Sequence, residues 1–321
     1  MAEKIAVLTS GGDAPGMNAA IRAVVRSALY YGMQPFGVER GYKGLTEGDI
    51  FPMTRGSVSD IISKGGTILK TARLSEFTER EVRKKAADNL ESRGIKGLVV
   101  IGGDGSFRGA RALSGDFGIN VIGLPGTIDN DLAYTDYTIG FDTAVNTALW
   151  AINNLRDTMT SHDRVCIVEV MGRTVGDIAL YSAVSGGADD IIVPESPYRI
   201  EDVCRDIEDN ARKGKSSDII ILAEGAGKAE EVKSEIKAHC SASVRTMVLG
   251  HIQRGGSPTA RDRILAARTG VRAVELIREG ATNRLVGVRG EGIYDIDIEE
   301  ALSMKKSFDA ELYKTAKIIS F

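Results

Sequence analysis

Residues 98–106 read LVVIGGDGS: four apolar residues, then Gly102-Gly103-Asp104-Gly105-Ser106. The apolar run does not alternate with polar positions, which predicts a strand covered on both faces, as in a parallel sheet. The glycines at its carboxyl end predict a tight turn into a helix. The pattern recurs in both directions along the chain. Strands are expected at Ile5–Thr9, Val121–Leu124, Val165–Val170, Ile191–Val193, Ile219–Ala223, Val244–Leu249 and Leu285–Val288. Helical patterns lie between them at Met17–Tyr31, Glu79–Arg93, Asp142–Arg156, Glu201–Lys213, Ala229–Cys240 and Ala260–Glu279. Strand, glycine turn and helix in repetition mean an α/β fold.

The unusual loops all follow predicted strands. GGDAPG stands at 11–16, PGTIDND at 125–131, MGR at 171–173, EG at 224–225 and HIQRGGS at 251–257. Open α/β sheets place ligands at the carboxyl ends of their strands.

Composition bounds the function. The chain has 321 residues, 43% hydrophobic and 26% charged, which excludes a mainly disordered protein and favours two domains. A net charge of −3 argues against a nucleic-acid partner. Cys166, Cys204 and Cys240 are odd in number and lack metal-ligand spacing, which suits a reduced, cytoplasmic setting. No apolar run approaches the ~20 residues of a membrane span, and the N-terminal run falls short of a signal peptide's ~7–15. No membrane partner is expected.

GGDAPGMN at 11–18 precedes a helix. Glycine lets backbone amides approach a phosphate, and a helix N-terminus favours anions; the alternative is a plain tight turn. In GGDGS, Asp104 is placed either to hold a hydrated Mg²⁺ or to cap the following helix, while Gly103, Gly105 and Ser106 offer donors to phosphoryl oxygens. GGTILKT at 65–71 lacks P-loop spacing, and Arg108 stands where a dinucleotide fingerprint needs glycine. A P-loop NTPase and a nicotinamide dehydrogenase are thereby demoted. In PGTIDND, Thr127, Asp129, Asn130 and Asp131 crowd polar groups after a strand. A carboxylate there can take the proton of an attacking sugar hydroxyl. Arg173 and Arg73 are placed to spread the charge of a transferring phosphoryl group. His251 and Arg254, near glycines, suit a sugar phosphate, and Glu224 suits sugar hydroxyls.

Seven strings carry a likeness: LTSGGDAPGMNAAIRAVVR (8–26), VVIGGDGS (99–106), GLPGTIDND (123–131), TDYTIGFDTA (135–144), VEVMGR (168–173), LGHIQRGGSP (249–258) and DRILA (262–266). In this order and spacing the sequence resembles the bacterial ATP-dependent 6-phosphofructokinases over essentially its whole length. The resemblance implies an α/β protein of two Rossmann-like three-layer domains with mostly parallel sheets and the active site in the cleft between them. It places a nucleotide domain at 1–138 plus 251–301 and a fructose 6-phosphate domain at 139–250 plus 302–321. It implies transfer of the ATP γ-phosphoryl to the 1-hydroxyl of fructose 6-phosphate, the committed step of glycolysis, with Mg²⁺.

Carried over by motif, Asp129 is the base, chosen over Asp131, with Arg173 and Thr127 as catalytic partners. Gly12, Arg73, Leu74, Gly103, Asp104, Gly105 and Ser106 bind ATP, and Asp104 serves the metal. Thr127, Ile128, Asp129, Met171, Gly172, Arg173, Glu224, His251, Ile252, Gln253 and Arg254 bind fructose 6-phosphate. Arg164 and Arg245 match residues that reach the sugar from a neighbouring subunit, so a homotetramer is implied. Arg22, Arg26, Arg55, Arg156, Gly187, Asp189, Lys213 and Lys215 match an effector site for ADP or GDP and phosphoenolpyruvate. Ser216, Ser217, Asp189, Lys70 and Leu74 depart from the common pattern. Pyrophosphate-using relatives tend to carry GGDD and PKTIDND. Gly105 and Gly126 are expected to keep the adenosine side open, favouring ATP. The rivals are a pyrophosphate-dependent enzyme and a non-catalytic sugar-phosphate sensor; the sensor should have lost Asp129, Asp104 or Arg173, and all three are present.

Overall fold

The computed structural model describes residues 3–320. Its strands are β1 (Lys4–Thr9), β2 (Gln34–Val38), β3 (Ile50–Pro52), β4 (Ile95–Gly102), β5 (Asn120–Thr127), β6 (Ile139–Gly140), β7 (Val165–Val170), β8 (Asp190–Ile192), β9 (Asp218–Ala223), β10 (Val244–Val248), β11 (Arg284–Arg289) and β12 (Gly292–Asp297). The α-helices are α1 (Met17–Tyr30), α2 (Gly41–Glu47), α3 (Arg80–Glu91), α4 (Asp104–Phe117), α5 (Phe141–Thr160), α6 (Asp177–Gly186), α7 (Ile200–Arg212), α8 (Ala229–His239), α9 (Ala260–Arg278), α10 (Ile298–Ser303) and α11 (Ala310–Ile319).

The chain forms two compact units. The first holds the residues up to Ile128, Leu132–Thr143 and Arg254–Lys306; the second holds Asp129–Asp131, Ala144–Gln253 and the residues from Ser307.

The first unit is built on a sheet in the order β12-β11-β5-β4-β1-β2-β3, with β6 beside β5. The inner pairs are parallel; β11–β12 and β2–β3 are antiparallel edges. The apolar runs behave as their composition predicts. Ile5–Leu8 and Leu98–Ile101 are fully buried. Their alternate residues Ala6, Leu8, Leu98 and Val100 face a core shared with Tyr42, Leu45, Leu90, Phe107 and Leu113 of α2, α3 and α4. The opposite face meets α1 and α9. Burying one such Leu or Ile contributes roughly 1.5–3 kcal/mol, and the pleat does this on both sides of the sheet at once.

The second unit has an all-parallel sheet, β10-β7-β9-β8. Val165, Ile167, Ile220 and Leu222 pack on Val203, Ile207, Val232 and Ile236 of α7 and α8, and α6 lies against β8 and β9 with α11 behind it. These are two α/β layered units with mostly parallel strands. The antiparallel edges β2–β3 and β12 are not among the predicted strands. β3 is three residues long and ends on Pro52, and β2 contains Pro35, so neither shows a strand pattern.

Candidate active site

In the first unit, loops from several strands converge at the carboxyl edge. Ser10 N–H donates to Ile101 O at 3.0 Å, so the loop after β1 is fastened to β4. Asn18, 1% exposed, accepts from Ile68 N–H at 2.7 Å and donates to Lys64 O and Gly65 O at 3.1 Å. Thr71 Oγ1 donates to Gly11 O at 2.7 Å. Residues 64–71, which lack P-loop spacing, thus serve as a strap over the first glycine loop. Arg73 follows, exposed. Leu74 packs partly buried against the core, and Lys70 pairs with Glu39 at 2.6 Å.

Gly103, Asp104 and Gly105 open α4, and Ser106 is buried behind them. A side chain at Gly105 would meet nothing within 4 Å, and one at Gly103 would reach only Thr127 Cβ at 3.8 Å. That open rim is what a phosphate chain needs. Gly126 is different, and the expectation that it leaves open space is corrected. A Cβ there would lie 2.8 Å from Ile101 Cγ2 and 3.2 Å from Met17 Cε, because β5 turns that face into the sheet interior. Gly126 is a packing glycine.

Asp104 is held by Arg108, one helical turn on, with Nε to Oδ2 at 2.8 Å. This pairing raises the Arg108 pKa above its ordinary value. No group of three or more His, Cys, Asp or Glu side chains able to hold a metal occurs among the described residues. A single carboxylate beside an open glycine rim fits Mg²⁺ that arrives on phosphates, since this ion keeps its waters and needs only one or two carboxylates.

The Arg254 guanidinium lies against Gly12: a Cβ on Gly12 would fall 2.8 Å from Arg254 Nη1. Arg254 Nε is buried without a hydrogen-bond partner. An arginine expected on the sugar phosphate thus touches a glycine expected on the nucleotide. Asp262, 1% exposed, accepts from Gly140 N and Thr143 N, both at 2.9 Å, and from Thr143 Oγ1 at 2.5 Å. Thr143 Oγ1 in turn accepts from Thr259 N at 3.0 Å, and Thr259 caps α9 by accepting from Asp262 N. Thr259-x-x-Asp262 is a capping-box spacing whose return bond is relayed through a second threonine. Sequence reading used DRILA only as a likeness; the capping spacing was the available signal.

In the second unit, Asp129 and Asn130 are buried, with 4% and 1% exposure. Asn130 adopts φ +54° and donates to Asp177 Oδ2 at 2.8 Å, which fixes the turn. Asp131 accepts from Arg173 Nη1 at 2.8 Å. Met171 is buried, Glu224 half-buried beside it, and Gln253 wholly buried. His251, Ile252 and Arg245 are exposed, and Arg164 is half-buried at the start of β7.

The effector candidates separate into small groups. Burial first, then Arg22 and Arg55, lowers the Arg26 pKa, and Asp60 opposes this; three arginines are therefore neighbours in the first unit. In the second, Arg156 donates to Gly186 O and Gly187 O at 2.8 and 2.6 Å. Lys215 pairs with Asp189, and with Asp218 at 3.2 Å. Lys213 is exposed.

The family model described as phosphofructokinase matches residues 4–277. The chain belongs to the phosphofructokinase family. It is 60% identical over 318 residues to the ATP-dependent 6-phosphofructokinase of Clostridium tetani, covering 99% of both chains. It is 59% identical over 316 residues to that of Clostridium botulinum, covering 98% of this chain and 99% of the relative. Phosphofructokinase from Saccharomyces cerevisiae superposes with a TM-score of 0.90 at 35% identity, covering 99% of this chain. This chain spans about half, 48%, of that longer one. A pyrophosphate-dependent phosphofructokinase from Marinobacter aquaeolei shares the fold, with a TM-score of 0.87 at 20% identity over 96% of this chain and 86% of that one. No described helix is long and apolar enough to cross a membrane.

Proposed function

We propose that this protein transfers the γ-phosphoryl group of ATP to the 1-hydroxyl of D-fructose 6-phosphate, giving fructose 1,6-bisphosphate and ADP. The observation that carries this reading is the 60% identity to an ATP-dependent 6-phosphofructokinase across 99% of both chains. The proposed setting is the cytoplasm, the proposed assembly a homotetramer completed by Arg164 and Arg245, and the proposed effectors ADP or GDP and phosphoenolpyruvate.

In the proposed mechanism the first unit holds nucleotide through Gly12, Arg73, Leu74 and the open rim Gly103–Ser106. Fructose 6-phosphate is held around Met171, Gly172 and Glu224, with His251 and Arg254 on its phosphate. Asp129 takes the proton of the 1-hydroxyl as that oxygen bonds to the γ-phosphorus and the bond to the ADP oxygen breaks. Asp129 is favoured over Asp131 because it is the residue that matches the family's base in the PGTIDND string. Arg173, with Thr127 and Arg73, faces charge spread over the equatorial oxygens. Mg²⁺ bound with the nucleotide supplies further charge neutralisation, and Asp104 is the residue that would hold it. Contact between Arg254 and Gly12 supports a meeting point of the two ligands at that glycine.

The test is a coupled assay of fructose 6-phosphate phosphorylation with ATP and, separately, with pyrophosphate. Turnover with ATP and none above background with pyrophosphate is expected. The reverse pattern overturns the choice of donor, and silence with both overturns the activity.

A further inference from the structure

The turn after β7 is moulded by groups that are distant in sequence. Gly172 and Arg173 have φ of +142° and +53°. For arginine the left-handed region is strained and persists only where the surroundings enforce it. Three features enforce it. Glu224 Oε1 accepts from Arg173 N at 2.9 Å and from Gly172 N at 3.2 Å. Gln253, wholly buried, accepts from Met171 N at 2.9 Å and donates to Ala144 O at 3.4 Å. Gly225 leaves room for the Arg173 carbonyl, since a Cβ on Gly225 would lie 2.4 Å from that oxygen. Three successive main-chain amides are therefore held by two side chains, and the one carbonyl that crowds the next loop meets a glycine. The far end of the arginine is held as well, by Asp131.

We infer that Glu224 and Gln253 are positioning residues, which act on phosphoryl transfer through the main chain of Met171–Arg173 and so set the Arg173 guanidinium. Geometry favours this over a sugar contact for Gln253, whose amide is spent on two backbone groups and has no exposed surface. For Glu224 the same oxygen takes both N–H groups, so its removal strands two donors beside a strained φ. A displaced guanidinium is a loss felt in the transition state, and it should appear in kcat.

The inference rests on the kinase reading above, and its test separates the two. In the wild-type-like background, Glu224→Ala is expected to lower kcat by about 10²–10³, with a smaller change in the KM for fructose 6-phosphate. Glu224→Gln keeps an oxygen acceptor for both amides and is expected to recover at least tenfold of that loss. In an Arg173→Ala background, Glu224→Ala should cost less than about threefold more, because residues acting as one unit are not additive. Amide hydrogen exchange over residues 170–176 should speed up in Glu224→Ala and Gln253→Leu, and not in Glu224→Gln. A rise in KM with kcat intact, losses that multiply with those of Arg173→Ala, or unchanged exchange in Glu224→Ala overturns the inference. Exchange is read without turnover. If the wild-type chain did not phosphorylate fructose 6-phosphate, the activity would fall while the clamp was still decided.

Discussion

Asp262 carries opposing forces whose balance can be measured. Burial pushes its carboxyl up from 3.8 to about 6. The Thr143 hydroxyl and the Gly140 and Thr143 amides pull it back, and the charge of Asp142 pushes it further up. A carboxyl that binds its proton more tightly when folded makes its greatest contribution at low pH. That contribution falls away as the pH rises from the unfolded value through the folded one. At 1.36 kcal/mol per pH unit, the whole difference is about 3 kcal/mol, of which about 2 kcal/mol lies between pH 4.5 and 7. Asp262→Asn removes the titration. Its Oδ1 can still accept from Gly140 N, but its amide nitrogen faces both Thr143 donors; the hydroxyl can turn to accept, while Thr143 N is stranded at about 1–3 kcal/mol. At neutral pH this loss is offset by removal of the buried charge, so the variant should lie within about 2 kcal/mol of the parent. At pH 4.5 it should be the less stable of the two. The assay is urea unfolding of both proteins by circular dichroism at pH 4.5, 5.5, 6.5 and 7.5. Taking the difference between parent and variant cancels every other titrating group. A difference that does not move with pH would show that the three donors at least cancel burial, and the reasoning would be refuted.

Three further outcomes bear on the chemistry. Asp129→Asn should lower kcat by about 10²–10⁴ while ATP affinity, read by calorimetry, stays near the parent value; parent-like turnover removes Asp129 as the base. Chelation should abolish turnover and added Mg²⁺ restore it. Because Arg108 competes for the Asp104 carboxylate in an exposed pair worth about 0–1 kcal/mol, Arg108→Ala should lower the Mg²⁺ concentration for half-maximal rate by up to about fivefold. An increase would show that the arginine assists rather than competes.

Much of the fold was legible because the central strands are buried on both sides. Ile5–Leu8 and Leu98–Ile101 could be read from composition alone, since no polar residue is tolerated on either face. The edges were not legible for the same reason in reverse. β3, at the edge, ends on Pro52, where a missing donor costs nothing, and β2 beside it is interrupted by Pro35. Helix α2, GYKGLTE, holds two glycines in seven residues; packing of Tyr42 and Leu45 into the core stabilises it against its own propensity.

At the candidate site the glycines were visible and their meaning was not. Gly105 and Gly126 look alike in sequence, each in a loop after an apolar run. One faces open space and the other a methyl group 2.8 Å away. Gly225 passes unremarked in the pair EG, yet it alone admits the carbonyl of Arg173. The difference lies in what the missing side chain would strike, and that neighbour belongs to another strand. Charge pairs hide in the same way. Arg173 lies 42 positions after Asp131, and no local pattern announces that the two will meet. A sequence announces where backbone must come close and where charge is concentrated. Assigning each its partner requires the parallel register that sets β7 beside β9, for it is this pairing that carries Glu224 to the amides of Gly172 and Arg173.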